Sequence, residues 1–562
     1  MRPWSKAIHL WLIGGLFLAS ACLALVRLDN TYFWDDEAVV GIHARNLLAT
    51  GELTSWDGRN LWAFRNGSVL DSRLRPRDTT LHFAITAASF RIFGVSTWAG
   101  RFPSVISGLL ALALFGSWLL QNRKVSPPHA VYSFGLVALS VVFLLNIRQC
   151  RYYAVSLLFC LLTFAAYQRC RARRRMLDFL LLTISAVGVF YIHPGVGTAF
   201  LLALAVTHLV CHRGEFSRAE WLKSLAAAAL FSLATVPYAL AERIWVRPEK
   251  FSGPPGEAPS WLGDKLTLIW WNLREINMLG CVPWVLAAGV IWLLWRRRRN
   301  EEVLTTVRPW LVLCLAFVIF MSLISHQPTR ATTIADVRYL LPILPFLAGL
   351  VGWLLAAVHH WRPLAAAGLF VAMISSDVLT LTPSRLQPRW HLPAYIQEVL
   401  HDYPTCYSAA VRFLRQTAAK DDLVLASPDF CNYPLMFYLG DQIHLCCLLD
   451  ARTPLPRDLV TSLKAPLFLE ENFPDWFIAF GASGQAAGLL NYFSRPHVLA
   501  DGRTNQFQYT LATNLNTFCH DTSRPELPWH SFGPHTAFDP ETQSVFVFRR
   551  TPAAVLNEAS AR

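Results

Sequence analysis

The stretch Leu81-His82-Phe83-Ala84-Ile85-Thr86-Ala87-Ala88-Ser89-Phe90-Arg91-Ile92-Phe93-Gly94-Val95-Ser96-Thr97-Trp98-Ala99-Gly100 decides the fold. It is apolar enough to be read as a membrane span, yet it carries Arg91 near its middle. If it crossed the bilayer, every later loop would change sides. The arginine-rich connections at 169–175 and 296–299 would then lie outside, against the rule that Lys and Arg stay on the cytoplasmic side. It reads instead as an amphipathic helix lying on or partly in the outer surface. Residues 27–100 then form one large external loop.

Composition supports a membrane setting. Of 562 residues, 54% are hydrophobic and only 15% are charged, with 21 Trp and 36 Phe, which places the chain among polytopic membrane proteins. The formal charge of +13 does not point to nucleic acid, because the basic residues fall in short runs between apolar segments and so report topology. After Met1-Arg2-Pro3-Trp4-Ser5-Lys6, the apolar run from Ile8 to Val26 is longer than a signal-peptide core and continues past the small residues Ala19-Ser20-Ala21, so it reads as a retained first span. Further spans are expected near 102–120, 130–147, 152–168, 178–193, 195–211, 222–240, 280–295, 309–325, 339–358 and 363–381, making about eleven by length. Arg123-Lys124, Arg169 to Arg175, Arg213, Arg218 and Lys223, Arg296 to Arg299 and Arg362 fall in alternate connections, which places the N-terminus in the cytoplasm.

From about residue 382 the composition turns polar and no segment could span. Asp422-Leu423-Val424-Leu425-Ala426 and Trp476-Phe477-Ile478-Ala479-Phe480 read as buried strands, and 407–417 as an amphipathic helix. The expected fold is a polytopic α-helical membrane module over 1–381, including the loop 27–100, followed by a soluble extracytoplasmic α/β domain over 382–562. Cys406, Cys431, Cys446, Cys447 and Cys519 lie in that domain, where disulfides are permitted, but five is an odd number and no pairing follows.

Chemistry is sought in the external loops. Trp34-Asp35-Asp36-Glu37 puts three carboxylates just outside the first span, where they either form a polar site or start the helix that follows. Arg148 and Arg151 stand in the next external loop, Asn146-Ile147-Arg148-Gln149-Cys150-Arg151-Tyr152-Tyr153. They suit either a phosphate, which the planar guanidinium fork matches, or lipid-headgroup anchoring. No zinc spacing and no nucleotide-binding motif occurs, so no cofactor is indicated, although the acidic cluster is compatible with a divalent cation. Outside the cell, ATP and nucleotide sugars are scarce. An activated donor would most simply arrive on a lipid carrier, with cations for its phosphate and a carboxylate for the acceptor's proton.

These features, in this order, resemble the GT-C glycosyltransferases. The matching elements are one span, an Asp-Glu pair, a surface helix ending in Phe93-Gly94-Val95-Ser96, then Ala99-Gly100-Arg101-Phe102-Pro103, Arg148-Gln149-Cys150-Arg151-Tyr152-Tyr153 and Arg338-Tyr339-Leu340-Leu341-Pro342. The likeness is to the branch containing protein O-mannosyltransferases and bacterial aminoarabinose transferases, and covers roughly the first 350 residues by motif order. It implies an enzyme, a hexosyl- or pentosyltransferase, moving a sugar from a polyprenyl-phosphate donor to an acceptor hydroxyl on a glycan, lipid or protein, with inversion. The resemblance assigns Asp36 as general base with Glu37 assisting, while Asp35 leaves the register open by one position. Adjacent carboxylates resist joint ionisation, which would raise one pKa toward neutrality. Arg148 and Arg151 would hold the donor phosphate. Arg77 would stand in for a family lysine, although the family's second proline is missing after Arg75-Pro76-Arg77, and His193 would sit near the donor or simply at the interface. The competing classes are a transporter and a non-catalytic envelope scaffold with an external domain. A transporter would use intramembrane charges and paired helix breaks, and the expected spans carry charge only near their ends, as Asp377 does in the last span, and show no paired breaks.

The expected setting is the inner membrane, with the C-terminal domain outside. A topology reporter fused after Arg562 should report the exterior and one at Arg173 the cytoplasm. A cytoplasmic C-terminus would overturn the parity argument.

Overall fold

The computed structural model describes residues 6–64, 66–77, 79–242, 261–278, 282–301, 303–325, 337–380, 390–401, 405–446, 455–467, 472–481, 484–495, 497–498, 504–505, 507–515, 517 and 544–552. In chain order come α1 (Lys6–Leu25), α2 (Asp35–Thr50), α3 (Leu81–Phe93), α4 (Thr97–Gln121), α5 (Pro127–Ala138), α6 (Val141–Ile147), α7 (Tyr153–Arg173), α8 (Met176–Ile192), α9 (Pro194–Cys211) and α10 (Arg218–Ala241). There follow α11 (Trp261–Met278), α12 (Trp284–Arg296), α13 (Arg308–Ile324), α14 (Leu344–Trp361), α15 (Pro363–Ser375), α16 (His391–Leu400) and α17 (Cys406–Thr417). The last part alternates: β1 (Leu423–Ser427), α18 (Asn432–Leu439), β2 (His444–Leu445), α19 (Arg457–Ser462), β3 (Trp476–Phe480), α20 (Gly484–Phe493), β4 (His497–Val498), β5 (Thr504–Asn505), β6 (Phe507–Asn514) and β7 (Val545–Pro552).

Among the described residues, seven helical stretches are long and apolar enough to cross a membrane, and α5 with α6, bent by 52°, makes an eighth. The shorter apolar helices α8, α12 and α15 stand at the remaining expected span positions. The deciding stretch breaks in two. Its first part, α3, has 13 residues and stops before Gly94, whose φ of +81° is left-handed; its end, from Thr97, already belongs to α4. Thirteen helical residues reach about 20 Å, short of a hydrocarbon core of about 30 Å. The amphipathic helix α11 is not among the expected elements, because its charged residues at 264, 265, 274 and 275 mask its apolar face from a search for spans.

The chain groups into two compact units. One comprises residues 1–27, 79–82 and 101–400; the other comprises 28–78, 83–100 and 401–562. The sequence attaches 27–100 to the membrane module, whereas most of that loop packs with the C-terminal residues. The reason lies in its polar side chains. Asn60 donates to the carbonyls of Gly440 and Ile443 and accepts from the Leu445 N–H, completing backbone bonding around β2. Arg59 donates to the carbonyls of Gln442 and Ile443 and pairs with Asp421. Helix α2 lies so close to α18 that a Cβ on Gly41 would meet the Phe437 ring at 2.8 Å.

The C-terminal sheet has strand order β2-β1-β3-β7-β6, with β1 parallel to β2 and β3, and β7 antiparallel to β3 and β6. All five residues of β1 and of β3 are buried, as expected of strands covered on both faces. Cys406, Cys431 and Cys446 are buried, while Cys447 and Cys519 lie outside the described residues.

In the first unit, small residues let helices approach. A Cβ on Gly352 of α14 would meet Ser133 Oγ at 2.2 Å and the Ser133 backbone nitrogen at 2.7 Å, so α5 and α14 are in backbone contact there. The break between α5 and α6 falls at Ser140, whose hydroxyl accepts from the Phe143 N–H at 3.4 Å. Residues 142–150 after it are buried in protein, the condition under which irregular backbone is tolerated at membrane depth.

This broken span delivers Arg148. The side chain is 8% exposed, and its Nη1 donates to the carbonyls of Leu23 at 3.2 Å, Ala24 at 3.0 Å and Val26 at 2.7 Å, while Nη2 donates to that of Arg27 at 2.9 Å. The last carbonyls of a helix have no intrahelical donor, and Arg148 supplies one to the end of α1. The Tyr395 hydroxyl adds a bond to Leu23 at 3.1 Å, and the Arg27 guanidinium donates to the Leu400 carbonyl at 2.7 Å. Burial pushes the nearby Glu398 carboxyl well above the usual range, against the pull of Arg148. The structure thus gives Arg148 work other than the donor-phosphate contact expected of it: its fork engages backbone oxygens. Arg148→Ala should cost roughly 2–5 kcal/mol, as charged hydrogen bonds are lost and buried carbonyls are stranded. That should appear as a lower thermal midpoint and yield, with partial recovery in Arg148→Lys; an unchanged midpoint would contradict the capping role.

Candidate active site

Trp34 is extended, with φ −82° and ψ 175°, and α2 starts immediately after it, so Asp35, Asp36 and Glu37 form the first helical turn. Trp34 makes no side-chain cap bond, and the three carboxylates lie where the helix presents unsatisfied N–H groups and its positive end. Glu37 is fully buried; Asp35 and Asp36 are half-buried. Burial first, then neighbours including Cys431 and Asp35, pushes the Tyr407 phenol of α17 well above its ordinary range.

Further along α2, His43 is not a rival base. Its Nδ1 donates to the Val39 carbonyl at 2.7 Å and its Nε2 accepts from Ser55 Oγ at 3.0 Å, between the rings of Trp62 and Phe83. Burial lowers its pKa to about 4, so it is neutral and fully occupied.

The first unit gathers a second group. Arg151 lies over the rings of Tyr152 at 4.8 Å and Tyr153 at 5.9 Å. Arg338, in the tight helical turn Val337–Ile343 before α14, lies 5.7 Å from the Tyr153 ring and 5.6 Å from that of Tyr339. The Tyr152 hydroxyl donates to that of Tyr339 at 3.3 Å, joining positions 187 residues apart. The His193 ring sits 4.6 Å from Tyr152 and 5.2 Å from Tyr339, and the His82 ring 5.7 Å from Tyr152. His193 also caps α9: its Nδ1 accepts from the Val196 N–H at 3.1 Å, which leaves the proton on Nε2. The result is two guanidinium groups on a bed of tyrosine faces with imidazole and phenol donors beside them, an arrangement suited to an oxyanion.

Of the expected phosphate ligands, Arg151 and His193 are brought together. Arg148 is occupied at the end of α1. Arg77 is exposed in the second unit, its N–H bonded to the Val69 carbonyl at 2.9 Å. Arg338, Tyr152, Tyr153 and Tyr339 were not among the expected site residues. The available signal was the dipeptide Arg-Tyr, which occurs at 151–152 and again at 338–339, each time just ahead of a long helix. Among the described residues, no three His, Cys, Asp or Glu side chains are arranged to hold a metal ion.

No protein-family model matches the sequence. The chain is 26% identical over 283 residues to undecaprenyl phosphate-alpha-4-amino-4-deoxy-L-arabinose arabinosyl transferase 2 of Proteus mirabilis, covering 46% of this chain and 46% of that protein. It therefore spans about half the length of the curated relative it matches. Among solved structures, ArnT from Cupriavidus metallidurans in the apo state superposes with a TM-score of 0.50 at 13% identity, over 89% of this chain and 96% of that one. The chain has the fold of the GT-C membrane glycosyltransferases and resembles their aminoarabinose-transferase branch.

Proposed function

We propose that the protein is a membrane glycosyltransferase, a hexosyl- or pentosyltransferase, that moves a sugar from a polyprenyl-phosphate donor to a hydroxyl of a glycan, lipid or protein acceptor. The observation that carries this reading is the pairing of Arg151 with Arg338 across the tyrosine cluster, two permanent cations with planar donor forks at one place in a membrane unit. The likeness to a transferase whose name specifies an undecaprenyl-phosphate sugar supports the lipid carrier. The alternating basic loops support an inner-membrane setting with the N-terminus in the cytoplasm and the chemistry outside.

In this reading the acceptor oxygen attacks the anomeric carbon as the bond from that carbon to the phosphate oxygen breaks. A single in-line displacement inverts the anomeric centre and releases polyprenyl phosphate. Arg151 and Arg338 stabilise the charge that accumulates on the departing phosphate, with the phenols of Tyr153 and Tyr339 and the Nε2–H of His193 as further donors. Asp36 takes the acceptor's proton and Glu37 supports it.

Asp36→Asn keeps shape and polarity and removes basicity. Transfer, followed by mass spectrometry of cell-envelope glycans and lipids, should fall by about 10² to 10⁴. Protein yield and binding of a polyprenyl phosphate should stay as in the parent, and Asp35→Asn should cost much less. A dead Asp35→Asn beside an active Asp36→Asn would shift the register by one; full activity in both would remove the catalytic role from the cluster.

A further inference from the structure

The connections that join α7 to α8 and α9 to α10 hold more cations than their acids can pair. Between Tyr167 and Lys223 the acids are Asp178, Glu215 and Glu220. Arg169 pairs with Asp178 at 2.9 Å, and Arg171 grips both carboxylate oxygens of Glu215 through Nε at 2.8 Å and Nη2 at 2.7 Å. Glu220 closes the capping box of α10, accepting from the Ser217 N–H at 2.8 Å. All three acids are therefore engaged. Arg173, Arg175, Arg213 and Arg218 are exposed, and among the described residues no hydrogen bond or ion pair engages their guanidinium groups.

The local bonding gathers these cations into one surface. Arg174 takes the left-handed conformation that closes α7, with φ +59°, and its Nη2 donates to the Glu215 carbonyl at 2.8 Å. Lys223 of α10 donates to the Arg174 carbonyl at 2.9 Å. The loop before α8, the turn Arg213–Glu215 and the start of α10 are thus tied together at a single residue. Helices α8 and α10 then run side by side in the same direction. Lys223 lies over the Phe179 ring at 6.0 Å, and the Thr183 hydroxyl donates to the Ala227 carbonyl at 3.4 Å, both pairs being 44 residues apart in sequence. That offset sets Arg175 level with Ala219, beside Arg218. Packed helices lie about 8–10 Å apart, so two long side chains at this level can close on one phosphate.

The surface next to the cations distinguishes a lipid from a soluble anion. Residues four apart share a helix face, so Arg218 heads the exposed stripe Leu222, Leu225, Leu233 and Val236 of α10. On α8, exposed Leu177, Leu180 and Ile184 follow Arg175 at helical spacing. Cations at the head of two adjacent apolar stripes match a molecule with an anionic head and hydrocarbon chains. A zwitterionic headgroup would bring its own ammonium against the unpaired arginines, which repel it.

We propose that the starts of α8 and α10 form a binding site for an anionic phospholipid of the adjoining leaflet, the cytoplasmic one by the expected topology. Its phosphodiester lies on Arg175 and Arg218, and its acyl chains run along the two exposed stripes. The lipid so held bridges α8 and α10. Glycosyl transfer uses none of these residues, so the site stands independently of that reading.

Native mass spectrometry of the full chain, released from detergent with equal amounts of phosphatidylglycerol and phosphatidylcholine as probes, tests the site. The parent should retain phosphatidylglycerol in preference by at least about tenfold, and Arg175→Gln or Arg218→Gln should each lower that preference about fivefold, the usual effect of one basic residue at an anionic lipid surface. Both variants should keep the parent's thermal midpoint in phosphatidylcholine, because neither guanidinium has a partner to lose. The double variant Arg297→Gln, Arg298→Gln removes exposed charge from another basic loop and should leave the preference as in the parent. No preference in the parent, or an equal loss when the other loop is changed, would reduce the effect to general attraction and overturn the site. Excess inorganic pyrophosphate identifies the occupant: retention of the lipid supports the proposal, and its displacement would make this a surface for soluble polyanions and overturn the lipid assignment.

Discussion

A carbonyl at the end of a membrane helix must find a donor, because the bilayer supplies none. In this protein that requirement is met for the first span by Arg148, which reaches four carbonyls from a buried loop 121 to 125 residues away in sequence. Much of the first unit follows. The α5–α6 span bends so that its end can present Arg148, residues 142–150 are buried around it, and α16 closes over the same point through Tyr395 and Glu398. The chain leaves this unit at Arg27, His82 and Leu400, and one hydrogen bond ties Arg27 to Leu400.

Two neighbouring arginines, three residues apart, consequently do different things. Arg148 is consumed by backbone oxygens. Arg151 lies on tyrosine faces, whose negative quadrupoles attract its charge. Arg338 reaches the same tyrosines from a distant segment, and the Tyr152–Tyr339 hydrogen bond holds the two approaches together. A guanidinium fixed on an aromatic bed has already lost much of its rotamer entropy, so an oxyanion arriving there meets donors that need little reordering.

The sequence revealed the periodic and compositional features. Arg91 within an apolar run, the basic alternate loops and the five-residue apolar strands 423–427 and 476–480 correspond to elements of the structure. Hidden were the features that depend on long-range partners. Nothing local distinguishes Arg148 from Arg151, since the carbonyls that claim one and the rings that hold the other come from elsewhere in the chain. Arg338 was visible as a motif but not as a neighbour of Arg151, because the ring of Tyr153 beside it is distant in sequence. The grouping of residues 28–78 with the C-terminal sheet was equally invisible, being carried by side chains such as Asn60 that bond backbone groups beyond position 440.

The central claim is that the donor phosphate binds between Arg151 and Arg338. A cryo-EM map of the full chain in nanodiscs with a bound polyprenyl phosphate tests it most directly. The account predicts phosphate density within hydrogen-bond reach of both guanidinium groups, at about 2.7–2.9 Å for charged N–H to oxygen contacts, with Arg148 still on the α1 carbonyls. Phosphate density on Arg148, or well away from the tyrosine cluster, would contradict it.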